Sequence, residues 1–191
     1  AIQSLVLRSL KQARYSSERI GHFALANKDY THFTSPIRRY PDLMVHRMIR
    51  DTLRNPGHFT ELVHGWSTSL EDASQHCSAR ERTAMEAERK LIEIKKCRYL
   101  EARLGEEFEA WVTSVIEKGV FCQLDGHFVD GLLSADILHR RLRLRFDQDS
   151  LSYLGPQKTK VTLGTRLRVQ VVAVSIESRK IDFDLIEVMK A

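Results

Sequence analysis

A change of hydrophobic period at Gly105 constrains this chain most. Before it, Leu70, Ala73, Cys77, Ala84, Ala87, Leu91 and Ile94 recur at spacings of three, four and seven, and Cys97, Leu100 and Leu104 extend the stripe. That period belongs to a helix. Thr68 with Glu71 three residues on reads as its capping box, and Gly105 as its terminating glycine. Arg82–Glu86, Glu86–Lys90 and Arg89–Glu93 are i,i+4 charge pairs for its outer face. A stripe this narrow over more than about 30 residues calls for packing along its length. After Gly105 the pattern alternates. Glu107–Ile116, Val120–Leu124, Phe128–Leu133, Thr165–Ile176 and Ile181–Leu185 read as strands separated by Lys118-Gly119, Asp125-Gly126 and Glu177–Lys180 turns. Five strands with an Arg-rich excursion from Ala135 to Lys160 before the fourth describe an OB-type barrel.

The fold class is therefore α+β, a mainly helical segment over 1–104 followed by a five-stranded OB-fold barrel over 105–191. Within the first segment, residues 1–15 read as an amphipathic helix already under way, which suggests a chain cut from something longer. Gly21–Ala26 reads as a strand or an extended buried stretch. Ser35 before Pro36 reads as a helix start, and Pro41 restarts a helix that runs to Arg54 and stops at Asn55-Pro56-Gly57.

At 42% hydrophobic and 29% charged, 191 residues suffice for one large or two small globular domains. No apolar run approaches the ~18 residues of a membrane span, so no membrane role is expected. Cys77, Cys97 and Cys122 have neither disulfide-framework nor zinc spacing, which points to a reducing cytoplasm. The net charge of +5 favours a polyanionic partner. It is concentrated in residues 1–60, with ten Lys/Arg against four acids, and in Arg140, Arg141, Arg143 and Arg145. Solvated surface is the plainer reading of such runs.

Two stretches carry a family resemblance. Tyr30-Thr31-His32-Phe33-Thr34-Ser35-Pro36-Ile37-Arg38-Arg39-Tyr40-Pro41-Asp42-Leu43, preceded by His22-Phe23 and followed by Val45-His46-Arg47, resembles the signature near the end of the RNB catalytic domain. That domain belongs to the exoribonuclease family of ribonucleases R and II. Gly105–Phe108, Lys118–Phe121, Val129–Leu133 and Arg179–Phe183 resemble the S-one-type RNA-binding domain, and Ser78–Ala87 the family's linking helix. The order of these stretches, with the intact Arg38–Asp42 run, is that of the ribonuclease R type.

The resemblance implies processive 3′→5′ hydrolysis of RNA to nucleoside 5′-monophosphates, with Mg²⁺ held by clustered aspartates. Glu18, Asp29, Asp42 and Asp51 are isolated, so no metal ligand set is expected in this chain, and the 191 residues alone should be inactive. Arg38 matches the family arginine at the scissile phosphate, where a guanidinium stabilises developing charge. His32, Ser35 and Arg39 are further RNA-binding candidates, Ser35 doubling as a helix cap. Asp42 reads as a dipole complement, and His22 and His46 as structural. In the barrel, Phe121 matches the family's surface aromatic on the second strand, and Phe128, Lys118 and Lys180 join it as RNA-binding candidates. One of the two phenylalanines, Phe128 before Phe121, is equally readable as core. Lys118 and Ser134 stand where a second aromatic and a histidine are frequent, so binding should be weak and salt-sensitive. The expected partner is single-stranded RNA entered from its 3′ end. A non-catalytic RNA-binding module, or a scaffold pairing through the long helix, is the alternative.

Overall fold

The computed structural model describes residues 9–156 and 159–189. The chain divides into two compact units, 2–88 and 89–191.

In the first unit, the helix expected over 1–15 falls partly outside the described residues, and 11–16 carry no regular structure. The Tyr15 amide there donates to the Ser78 hydroxyl at 2.9 Å, a tertiary partner in place of a helical one. Gly21–Ala26 is neither strand nor buried. Phe23–Leu25 form a single 3-10 turn with Phe23 93% exposed. His22 makes the turn, its Nδ1 accepting the Leu25 amide at 3.3 Å, while Ala26 closes it in the left-handed region. The helix expected at Ser35 starts later. The Ser35 carbonyl takes the amides of Arg38 and Arg39 at 3.2 and 3.0 Å, which makes an isolated turn. Helix α1 then spans Tyr40–Arg54, with Pro41 in its first turn where a missing N–H costs nothing.

Helix α2 spans Phe59–Glu101 and is longer at its N-terminus than the periodicity predicts. His58 stands just before it, its carbonyl accepting the Leu62 amide at 3.0 Å and its ring pairing with Glu61 at 2.9 Å. The Thr68–Glu71 pattern is therefore interior, and Glu71 instead accepts from Ser17 and Gln75 at 2.5 and 2.7 Å. The stripe is not covered along its length: residues 79–92 are exposed throughout, and among the described residues of α2 only Ser78, Cys97 and Leu100 are buried. Among the described residues of the first unit, no apolar side chain is buried. Gly105 does not cap α2. Its amide donates to the Val171 carbonyl at 2.9 Å, in the second unit's sheet.

The second unit holds the core. Strands β1 (Glu107–Ile116), β2 (Gly119–Leu124), β3 (Asp130–Ser134), β7 (Arg166–Ser175) and β8 (Lys180–Val188) close a barrel in the order β1-β2-β3-β8-β7. All contacts are antiparallel except β3–β8. This is the expected five-stranded OB-type barrel. Alternation puts Val120, Cys122, Leu133, Leu167, Val169, Val171, Phe183 and Leu185 inside. Gly131 is obligatory there, because a Cβ would collide with the Phe183 ring.

The excursion is itself folded, as helix α3 (Ala135–Leu142) and a small sheet of β4 (Arg145–Asp147), β5 (Ser152–Leu154) and β6 (Lys160–Val161). Tyr153 of β5 is buried and its hydroxyl lies 2.9 and 2.7 Å from the carbonyl oxygens of Ile116 and Glu117, which ties the excursion to the β1–β2 turn. Burial raises the Tyr153 phenol, with Glu117 adding to the effect. The three cysteines are free, and burial pushes the Cys122 thiol up to about 12, far from reactive. Among the described residues no helix is long and apolar enough to cross a membrane.

Candidate nucleic-acid interface

The first unit builds one candidate surface around the Ser35–Asp42 turn. Asp42, in the first turn of α1, is completely buried. Its Oδ1 accepts the Ser35 amide and the Arg39 guanidinium, each at 2.8 Å. Burial alone would raise this carboxyl, but the Ser35 amide and the Arg39 charge outweigh it and hold it below its ordinary value. Asp42 is thus more than a dipole complement. It ties the turn to the helix.

This arrangement separates two adjacent arginines. Arg39 is half-buried and engaged, whereas Arg38 is exposed and its side chain has no ion pair among the described residues. Ser35 contributes backbone groups rather than a helix cap, and the helix N-terminus expected at 35–37 lies instead at Arg39–Tyr40. His32 is half-buried. Its Nδ1 is hydrogen-bonded to the Tyr15 hydroxyl at 3.1 Å, and its ring meets Tyr15 and Tyr30 edge-on. His46 donates from Nε2 to the Phe33 carbonyl at 2.7 Å and stacks on that ring. Both histidines are held in place.

Among the described residues no three or more His, Cys, Asp or Glu side chains gather where they could hold a metal ion. Asp42, the buried carboxylate, does not fit a divalent cation, because its Oδ1 is bonded to the Arg39 guanidinium and no cluster of further ligands gathers around it among the described residues.

On the barrel, register decides which candidates meet. Phe121 pairs with Leu132, and Leu132 with Asp182, so these three form one row across the outer face of β2, β3 and β8. Phe121 is 39% exposed on that face. Lys180 is exposed on the same face of β8, two residues from Asp182, and therefore one step along from Phe121's row. Lys118 is exposed in the β1–β2 turn. Phe128 is not core. It is 64% exposed in the β2–β3 loop, in the left-handed region at φ 54°, so β3 begins at Asp130. The six residues of β2 separate that loop from Lys118 by roughly 20 Å. Phe121 and Lys180 share a surface; Phe128 and Lys118 stand at opposite ends.

One pair escaped the sequence reading. Arg141 of α3 grips Asp184 of β8 with two bonds, Nη2 to Oδ2 at 2.6 Å and Nε to Oδ1 at 3.4 Å. That contact holds the Asp184 carboxyl below its ordinary value. The only sequence signal was an aspartate at an outward position of Ile181-Asp182-Phe183-Asp184-Leu185, with an arginine run elsewhere to answer it.

Residues 1–55 match the family described as the RNB domain. Ribonuclease R of Thermotoga maritima is 40% identical over 189 residues, which covers 98% of this chain and 26% of that protein. The apo form of Mycoplasma genitalium RNase R superposes with a TM-score of 0.80 at 27% identity, covering 96% of this chain and 29% of that one. The same enzyme in complex with ribose-methylated single-stranded RNA gives a TM-score of 0.76 at 26% identity, with the same coverage. The chain spans about a quarter of the length of the curated relatives it matches. With the Ser35–Asp42 turn, the five-stranded barrel and nearly the whole sequence aligned in one order, this chain belongs to the ribonuclease R-like proteins of the RNB family.

Proposed function

We propose that this chain is part of a 3′→5′ exoribonuclease that hydrolyses RNA to nucleoside 5′-monophosphates. In this reading residues 1–104 are the end of its catalytic domain and 105–191 its RNA-binding barrel. The observation that carries the assignment of Arg38 is the contrast at the Ser35–Asp42 turn. Asp42 neutralises Arg39, and the neighbouring Arg38 is left exposed and unpaired among the described residues. A free guanidinium on a braced turn suits a phosphate group, to two of whose oxygens it donates parallel hydrogen bonds, and it stays charged at any working pH. Arg38 is the phosphate-binding and catalytic residue. Arg39 and Asp42 position it, and Ser35 and His32 line the same approach.

The hydrolysis requires Mg²⁺, and its carboxylate ligands come from outside these 191 residues. The chain alone is therefore inactive but binds RNA weakly, through base stacking on Phe121 and phosphate contacts from Lys118 and Lys180, with Phe128 as an outlying contact. The RNA is single-stranded and enters by its 3′ end. The enzyme works in the cytoplasm, where its thiols stay reduced.

Two measurements test this. Incubating the chain with labelled single-stranded RNA and Mg²⁺ should give no shortening, and robust hydrolysis would overturn the division of the site. In a full-length relative carrying this segment, Arg38→Ala should lower kcat far more than it weakens RNA binding. An equal loss in both, or a loss in binding alone, would reduce this chain to the alternative, a binding module without a catalytic arginine.

A further inference from the structure

The Arg-rich excursion is unexplained by either candidate surface. Arg140, Arg141, Arg143 and Arg145 are all exposed, and among the described residues the side chains of Arg140, Arg143 and Arg145 make no hydrogen bond or ion pair. A flexible basic loop would be no more than solvated surface. This one is anchored. Leu138 is buried in the middle of α3, and Leu144 is buried between Arg143 and Arg145, packed so closely that a Cβ at Gly155 would strike it. Arg143 holds the left-handed position that ends α3, at φ 54°, where glycine is the usual residue. Its amide donates to the His139 carbonyl at 2.8 Å. A long cation thus stands at a backbone position that favours no side chain.

Register places Arg141, the member of this cluster bonded to the barrel, relative to Phe121. Leu132 and Asp182 are level with Phe121, and Asp184 lies two residues further along β8 on the same outer face. Strand spacing and rise put Asp184 roughly 12 Å from Phe121. Arg141 reaches Asp184 from α3, so its guanidinium lies over the barrel face beside the Phe121 row. Asp184 is nearly covered, and its Oδ1 also accepts the Leu185 amide at 2.8 Å, so the carboxylate is fixed before it meets the arginine.

We propose that Arg140, Arg141, Arg143 and Arg145 form a phosphate-binding rim for single-stranded RNA whose bases lie on Phe121, and that Asp184 is the positioning residue that aims Arg141. This rests on the RNA-binding reading above and extends it to four residues and a carboxylate that the family resemblance did not assign. The rim supplies three free guanidinium groups on an anchored backbone and one held by Asp184, which compensates for the missing second aromatic at Lys118.

The sign of one substitution separates positioning from bulk electrostatics. Asp184→Asn makes the surface more positive, so a merely electrostatic patch would bind RNA more tightly. A rim aimed by Asp184 binds it several-fold more weakly. The probe is a fluorescently labelled oligouridylate of about 12 nucleotides, titrated with the 191-residue chain in EDTA at several salt concentrations. Replacing Arg140, Arg143 and Arg145 together by Gln should flatten the slope of log K against log salt by about 2, from three lost contacts at about 0.7 each on a single strand. Arg141→Lys keeps the charge without the two-pronged grip, leaves a half-exposed position unburdened, and should also weaken binding several-fold. Tighter binding by Asp184→Asn, unchanged affinity of Arg141→Lys, or an unchanged salt slope in the triple variant would each overturn the rim while Phe121→Ala still weakened binding. A wild-type chain that does not bind the oligouridylate at all would instead overturn the RNA-binding reading itself, and the rim with it.

Discussion

Asp42 and Arg39 are joined by one hydrogen bond, Nη2 to Oδ1 at 2.8 Å, inside a turn where Asp42 has no contact with solvent. The same Oδ1 takes the Ser35 amide, while Asp42 Oδ2 and Arg39 Nε are buried without a hydrogen-bond partner among the described residues. A single carboxylate oxygen therefore holds both the turn and the start of α1. The neighbouring Arg38 is presented by whatever these two bonds fix.

Asp42→Asn keeps an acceptor for the Ser35 amide but removes the charge facing Arg39, leaving a half-buried guanidinium uncompensated. The expected result is a melting temperature lowered by several degrees and faster amide exchange at Ser35 and Arg39, read by hydrogen-exchange mass spectrometry or NMR. Unchanged exchange at both amides would show that the turn stands without Asp42.

Acid should act through four depressed carboxyls, Asp42, Asp147, Asp184 and Glu71, the last lowered by the Ser17 hydroxyl and the Gln75 amide. For Asp42 burial opposes the shift, but the Ser35 amide and Arg39 prevail; for Asp147 the Ser150 hydroxyl and amide lower it; for Asp184 Arg141 does. A folded value below the unfolded one stabilises the native state above the ordinary carboxyl pKa of about 4, and the stabilisation is lost as pH falls through the lower folded values. The melting temperature should be insensitive to these groups at neutral pH and fall below about pH 4. In the Asp42→Asn and Asp184→Asn double variant that acid fall should be shallower. A steeper one would contradict the assignment.

Tyr153→Phe removes the hydroxyl that serves the Ile116 and Glu117 carbonyls. A lost buried hydrogen bond costs about 1–2 kcal/mol, measurable by urea denaturation. Because those carbonyls immediately precede Lys118, the variant should also loosen the β1–β2 turn, seen as faster exchange of the Ala135 amide that donates to the Lys118 carbonyl at 2.9 Å.

Gly119→Ala should be worse. Gly119 has φ 145°, and an added Cβ would run into the Leu133 carbonyl oxygen of the paired strand. Neither backbone can yield without breaking the β2–β3 ladder, so a loss on the order of 2–3 kcal/mol is expected. A variant with the parent's denaturation midpoint would contradict the packing described.

Phe121→Ala should weaken RNA binding by about 1–3 kcal/mol if one base stacks there, with the barrel's stability nearly unchanged because the ring is partly exposed. Phe128→Ala, in the far loop, should cost less. Fluorescence anisotropy on both variants orders them, and a larger loss at Phe128 would relocate the base-stacking site.

The sequence by itself determined the elements whose period repeats over many residues. The alternating strands of the barrel, the helix from Tyr40 to Arg54 and most of α2 were all legible, because each repeats a burial pattern that only one secondary structure satisfies. The Ser35–Asp42 run was also legible, as a resemblance carried by one contiguous stretch. Tertiary structure decided what depends on partners distant in sequence. Ser35 looked like a helix cap because its neighbours are a helix start, but its carbonyl and amide are claimed by a turn and by buried Asp42. Phe128 reads as core because it opens the expected strand Phe128–Leu133, but it lies in the loop before β3 with a left-handed backbone and is exposed. Arg141 and Asp184 are 43 residues apart, and nothing local to either names the other. Local periodicity fixes which face a residue takes, whereas only closure of the barrel decides which residues from separate strands and helices share that face.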